Sequence, residues 1–234
     1  MQAYIAEFVG TLFLVLLGDG VCCNVSLNKS GMKGGGTVHI LIGWGMAVMV
    51  PAFAFGSLSG AHFNPAVTIG VAIRGGMDWS MVPGYIIAQM LGGICGAIIL
   101  FVLYHDHFKA TEDTATKRGV FCTAPSIRNT GLNFLSEFVA TLCLVFFLAA
   151  IPANCGASGM SWALVYGVIV SMGASFGGLT GYAMNAARDT APRIAYTILP
   201  IPGEKDADWS YGWIPLVAPI LGGICGSLLY MAIF

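Results

Sequence analysis

Charge is what this sequence has least of. Asp, Glu, Lys and Arg make up only 9% of its 234 residues, where a soluble globular domain carries about 25%. That leaves too few charged side chains for a water-facing surface, so a membrane protein is expected. The charges nearly cancel, to a net −1, which offers no basic face for nucleic acid. Metal-ligand spacing is also missing. Cys22, Cys23, Cys95, Cys122, Cys143, Cys155 and Cys225 form no Cys-x-x-Cys and no Cys/His group, and most lie in apolar runs as small core packers. No nucleophile–base pair or phosphate loop is present, so no enzyme, metal or cofactor is expected. The first apolar run starts at Ala3 without a charged segment ahead of it and is as long as a membrane span, so a cleavable signal peptide is not expected.

Apolar sequence is what the chain has in excess. Hydrophobic residues make up 57% of it, and its mean hydropathy is +0.81. Six runs, roughly 3–24, 37–57, 83–105, 132–152, 160–178 and 212–233, approach the 20 or so residues that cross a ~30 Å hydrocarbon core. Two shorter apolar runs remain, 65–74 and 186–197. At 1.5 Å per residue each makes a helix of about 15 Å, half a membrane. Two such half-helices meeting end to end would cover one thickness. The 32 glycines suit helices that pack closely in lipid.

The chain repeats itself. Ala6-Glu7-Phe8-Val9-Gly10-Thr11-Leu12 matches Ser136-Glu137-Phe138-Val139-Ala140-Thr141-Leu142, and Leu91-Gly92-Gly93-Ile94-Cys95-Gly96 recurs unchanged as Leu221-Gly222-Gly223-Ile224-Cys225-Gly226. The expected organisation is one domain over 1–234. Residues 1–106 form a first repeat with half-helix 65–74, 107–131 a connecting loop, and 132–234 a second repeat with half-helix 186–197. Three spans per repeat force the second copy into the membrane inverted, so the half-helices enter from opposite faces. The fold class is all-α: six spans plus two half-membrane helices. The polar stretch 106–131 (His107, Lys109, Glu112, Asp113, Lys117, Arg118) reads as a solvated loop, and a second polar patch runs from Pro202 to Ser210. Lys29, Lys33, Lys109, Lys117, Arg118, Arg128 and Lys205 fall on one side and Arg74 opposite, which by the positive-inside rule places the termini outside.

Each half-helix opens on an Asn. In Ser59-Gly60-Ala61-His62-Phe63-Asn64-Pro65-Ala66-Val67-Thr68, Asn64 precedes a Pro suited to the first helical position. In Gly181-Tyr182-Ala183-Met184-Asn185-Ala186-Ala187-Arg188-Asp189, Asn185 precedes Ala186, itself a strong helix former. Isolated, either motif says only that a helix starts there. Recurring at matched positions of an apolar repeat, they point to irregular backbone at membrane depth, which lipid tolerates only when buried or lining a wet cavity. The carbonyls of Gly60, Ala61, His62, Phe63, Gly181, Ala183 and Met184 would line that cavity. Two helix N-termini aimed at one spot place about half a positive charge each there, and the Asn64 and Asn185 amides would donate to passing solutes.

Arg188 lies at spanning depth, where a charge costs about 3 kcal/mol unless paired or hydrated. It reads either as a pore-lining donor that binds polar solutes and repels cations, or as a structural ion pair with Asp189 or a snorkelling side chain. Glu7 and Glu137 occupy equivalent repeat positions. They read as buttresses that accept backbone N–H bonds from the loops ahead of the half-helices, with a proton relay as the rival role. His62 either lines the cavity or hydrogen-bonds within the core.

Taken together, Ala6-Glu7-Phe8, Ser59 to Thr68, Gly181 to Asp189 and Pro192-Arg193 resemble the major intrinsic protein family, in its glycerol facilitator (aquaglyceroporin) branch, over essentially the whole chain. The resemblance implies an aquaporin-like right-handed bundle with termini inside. It further implies a homotetramer with one passive pore per subunit in a bacterial plasma (inner) membrane. The partners implied are the lipid bilayer and small neutral solutes, glycerol and water first, with urea and protonated lactic acid as further candidates. Matched position by position, the family's selectivity filter falls on Trp44, Gly173, Tyr182 and Arg188. Gly173, where water-selective members carry a His-like residue, leaves room for Tyr182 beside Trp44. Asp189, a third buttress, Arg193 and Pro215-Leu216 also match the glycerol-conducting branch. Ala186 stands where the family usually has Pro, and Tyr182 where many members have Phe. A water-selective pore, a proton-coupled transporter using Glu7, Glu137 and Asp189, and a closed structural protein are the alternatives.

Overall fold

The computed structural model describes residues 1–155 and 160–234, and among them there is no β-strand. Its helices are α1 (Gln2–Ser26), α2 (Gly36–Ser59), α3 (Pro65–Ile73), α4 (Val82–Leu103), α5 (His105–Ala110), α6 (Thr114–Gly119), α7 (Thr130–Cys155), α8 (Met160–Thr180), α9 (Ala186–Ile198), α10 (Trp209–Gly212) and α11 (Ile214–Ile233). Six of them (α1, α2, α4, α7, α8 and α11, with a short turn ahead of α4 and of α11) are long and apolar enough to cross a membrane. Helices α3 and α9 are short, with 9 and 13 residues, roughly 14 and 20 Å. The fold is all-α, with six spans and two half-helices. Every span and half-helix expected from hydropathy is found within a few residues of its expected limits.

Packing follows the repeat. Helix α1 packs on α4 and α2, α7 packs on α11 and α8, and α2 and α8 join the two sets. Each half-helix leaves its own half: α9 lies on α4, and α3 on α11. The repeated Leu-Gly-Gly-Ile-Cys-Gly segment makes both contacts possible. A Cβ at Gly96 would come 2.6 Å from the Leu12 carbonyl oxygen, and one at Gly226 would meet that of Leu142. On the neighbouring face, a Cβ at Gly93 would lie 2.5 Å from the Ala187 oxygen and one at Gly223 2.9 Å from that of Ala66. Backbones touch there, and only Gly permits it.

The connector differs from the expected solvated loop. It carries α5 and α6 and buries Phe108, Lys117, Val120, Phe121, Cys122 and Thr123. Lys117 Nζ donates to the Pro202 carbonyl (2.7 Å), Arg118 pairs with Asp206 (3.2 Å), and Arg128 with Asp208 (2.5 Å). Lys205 donates to the carbonyls of Thr197 and Leu199, and Lys33 to Asn28. The basic residues counted in the positive-inside argument are thus largely engaged in tying connectors together, which gives their one-sided distribution a structural cause.

Candidate functional site: a cavity between two half-helices

The two half-helices meet at their N-termini. Asn64 Oδ1 accepts the Ala66 N–H at 2.9 Å, and Asn185 Oδ1 accepts those of Ala187 at 2.9 Å and Arg188 at 3.2 Å. Each Asn is therefore a side-chain N-cap, and the helix starts at Ala186 as it does at Pro65. The amide ends cross over: Asn64 Nδ2 donates to the Met184 carbonyl and Asn185 Nδ2 to that of Phe63, both at 2.8 Å. Two of the carbonyls expected to face solute thus each spend a lone pair on the opposite Asn. One N–H of each amide remains.

The segments ahead of the Asn residues share one backbone pattern. φ is positive at Gly60 (82°), Ala61 (51°) and Phe63 (49°), and again at Gly181 (81°), Tyr182 (41°) and Met184 (50°). Non-glycine residues so held cost on the order of 1–3 kcal/mol each and need over-determining contacts, which two buried carboxylates supply. Glu7 Oε1 accepts from Ser59 Oγ (2.6 Å) and His62 N (2.9 Å), and Oε2 from Phe63 N and Gln89 Nε2 (both 2.7 Å). Glu137 Oε1 accepts from Thr180 Oγ1 (2.7 Å) and Ala183 N (3.0 Å), and Oε2 from Met184 N (2.9 Å). Both are fully buried. His62 borders the cavity described below, and its Nδ1 lies 3.2 Å from Thr68 Oγ1.

Above this junction is a cavity of about 60 Å³ walled by Trp44, His62, Asn64, Tyr182, Ala183, Met184, Asn185, Arg188 and aliphatic side chains including Leu14, Val48 and Ile169. By the measure that a water needs about 10–15 Å³, it holds only a few water-sized groups. Three of the four residues matched to a filter meet there. The Arg188 guanidinium carbon lies 3.9 Å from the Trp44 ring centroid, close enough for a cation–π contact. Gly173 stands behind Tyr182: a Cβ there would come 2.8 Å from Tyr182 Cζ and 2.5 Å from Leu41 Cδ2. Gly60, Ala61, Phe63 and Gly181 are not among the residues that wall it.

Arg188 and Asp189 do not pair. Consecutive helical residues point about 100° apart. Arg188 Nη1 instead faces Asp19 Oδ1 of α1, 3.4 Å away. Asp189 Oδ1 takes Arg193 Nε (3.0 Å) and Nη2 (2.9 Å), one helical turn on. Its Oδ2 takes the backbone N and Oγ1 of Thr123 (both 2.7 Å). Arg193, fully buried, reaches further to the carbonyls of Thr123 (2.8 Å) and Ala207 (2.5 Å), so this pair clamps both connectors onto α9. Asp19, Gln89 and Thr123 were not anticipated. A signal existed for the first two, since a polar side chain inside a spanning run is a functional candidate by default.

The comparisons agree with this architecture. A model of the family described as major intrinsic protein matches residues 1–230. The chain is 49% identical to a probable glycerol uptake facilitator protein of Thermotoga maritima, over the whole of both chains. It is 47% identical to the glycerol uptake facilitator protein of Bacillus subtilis, over all of this chain and 85% of that one. Among solved structures, the aquaglyceroporin from Plasmodium falciparum matches with a TM-score of 0.85 at 31% identity, over 98% of this chain and 94% of that one.

Proposed function

The chain belongs to the major intrinsic protein family, and we propose that it is a multi-pass membrane channel passing glycerol and other small uncharged polar solutes, water among them, down their gradients. The observation that carries this reading is the convergence of Trp44, Tyr182 and Arg188 on one narrow cavity at the junction of two Asn-capped half-helices. Apolar faces on Trp44 and Tyr182 hold a carbon backbone, while Arg188 and the free amide N–H groups of Asn64 and Asn185 bind hydroxyls. Ions and protons meet the positive ends of two helix dipoles at the same depth. Glu7 and Glu137 hold the re-entrant loops, and their oxygens are occupied by donors, which favours a buttress over a proton carrier. Asp189, bound to Arg193 and Thr123, serves in the same way.

Residues 1–106 and 132–234 are inverted repeats joined by 107–131. The chains assemble as homotetramers with one pore each, in a bacterial plasma membrane. Gly173 sets the solute range by leaving space for Tyr182, so urea and protonated lactic acid fall within reach. Stopped-flow light scattering on proteoliposomes tests the reading: after shrinkage in glycerol, fast re-swelling is expected, and Gly173→Trp, which drives a ring into the space of Tyr182, should abolish it. Fast water movement with no glycerol entry in the unaltered protein would refute glycerol conduction.

A further inference from the structure

Four carboxylates and two guanidiniums are fully or almost fully buried around the cavity and its loops: Glu7, Asp19, Glu137, Asp189, Arg188 and Arg193. Three of the carboxylates are explained by what they hold. Glu7 and Glu137 are bound by loop N–H groups, and Asp189 is shared by Arg193 and Thr123. Asp19 holds no loop. It sits on the spanning helix α1, with its side chain wholly buried, and its one ion pair among the described residues is with Arg188. Its other oxygen, Oδ2, is buried without a hydrogen-bond partner among the described residues. A carboxylate buried in a membrane span against a guanidinium is there for its charge, because packing alone would favour an apolar residue.

The surroundings show what that charge acts on. Trp44 Nε1 points to Cys22 Sγ at 3.4 Å, one turn of α1 on from Gly18, against which the Trp44 ring also packs. One stretch of α1, residues 18–22, thus backs both Trp44 and Arg188, and Arg188 is gripped between the Trp44 face and the Asp19 carboxylate. The residue 130 positions after Asp19 is Ala149, so this carboxylate is no part of the repeated scaffold. We propose that Asp19 is the built-in counter-ion of Arg188: a positioning residue that fixes the guanidinium at the cavity wall and cancels its charge, so that solutes are sorted there by shape and hydrogen bonding. Exclusion of cations then falls to the half-helix N-termini at Asn64 and Asn185. The proposal rests on the pore reading above and adds a specificity determinant to it.

Four proteins test it in proteoliposomes: wild type, Asp19→Asn, Arg188→Leu and the double variant. Asp19→Asn leaves Arg188 unpaired, and glycerol re-swelling should slow by about tenfold or more, as for breaking a buried charge pair. In the Arg188→Leu background the same change should alter the rate by less than about twofold, the non-additivity of a coupled pair. Charge itself is read by the decay of an imposed pH gradient followed with a trapped dye. Arg188→Leu alone leaves a bare carboxylate beside the cavity and should leak protons several-fold faster than wild type, and adding Asp19→Asn should restore the wild-type rate. Equal slowing of glycerol in both backgrounds, or a proton leak that persists in the double variant, would overturn the proposal. Should Asp19→Asn yield no folded protein, its recovery by Arg188→Leu supports the pairing, and continued loss in the double variant makes Asp19 a packing residue and overturns it. A wild type that admits no glycerol brings down the pore reading itself, separately from the behaviour of the pair.

Discussion

Replacing Glu137 by Gln subtracts one acceptor oxygen from a fully buried junction and changes little else. Glu137 Oε1 binds Thr180 Oγ1 and Ala183 N, and Oε2 binds Met184 N. Whichever way a Gln amide is turned, its NH2 group faces either the Ala183 or the Met184 N–H. One charge-assisted bond is lost and one buried donor is orphaned, together about 3 kcal/mol. For a chain of this size that is on the order of 6–12 °C in Tm. The damage reaches the pore, because the Met184 carbonyl holds Asn64 Nδ2 at 2.8 Å. When the loop relaxes from its left-handed positions at Tyr182 and Met184, Asn64 loses its partner and the Tyr182 ring shifts. Thermal unfolding in detergent followed by tryptophan fluorescence reads the first effect and glycerol re-swelling the second, which should fall by roughly tenfold or more. Thr180→Val, which leaves both N–H bonds intact, should cost only about 1 kcal/mol. A Glu137→Gln protein that melts within about 2 °C of wild type, under 1 kcal/mol at this size, and conducts glycerol normally would refute the buttress.

Two further outcomes follow from the connectors. Arg193→Lys replaces a fork that spans Asp189, Thr123 and Ala207 with a single ammonium that cannot reach all three. A loss of about 3 kcal/mol and faster tryptic cleavage after Lys117 and Arg118 are expected, and an unchanged cleavage rate would count against the clamp. Asp208 gives a pH dependence. Burial raises its carboxyl, but the Ser210 hydroxyl and the Arg128 guanidinium outweigh burial and hold it below the ordinary carboxylate range. A depressed carboxyl contributes stability that is present above the unfolded value of about 3.9 and is lost as pH falls through the folded one. Asp208→Asn should therefore lower the melting temperature at pH 6 and narrow the gap to wild type by pH 3. A gap that stays constant over that range would exclude this carboxyl as the group responsible.

Much of the architecture was legible because the chain states it twice. Glu7 with Glu137, Asn64 with Asn185, and the two Leu-Gly-Gly-Ile-Cys-Gly segments were visible as pairs, and a residue type retained at matched positions of two halves must meet the same physical need in both. The glycines show how far that reaches: Gly92 and Gly96 against α1, and Gly222 and Gly226 against α7, are one contact made twice. The connector was not legible. Its partners lie some 80 to 90 residues away, in Pro202 to Asp208, and local polarity says "exposed" whether a Lys is solvated or, like Lys117, buried on a carbonyl.

One alternative for Arg188, an ion pair with Asp189, fails for a different reason. Adjacency in sequence suggested Asp189, yet helical geometry separates neighbours and brings together residues four apart, as Asp189 and Arg193 show. With Asp189 taken, Arg188 needed a counter-charge from elsewhere, and only one acidic residue in the six apolar runs lacked a duplicate. Asp19 has Ala149 as its counterpart, where Glu7 has Glu137. Duplication marks what builds the scaffold, so a residue that tunes one side of the pore is marked by its absence. A search for intramembrane charges without a partner in the other half would have found Asp19 from the sequence, and with it the place where this chain departs from its own symmetry.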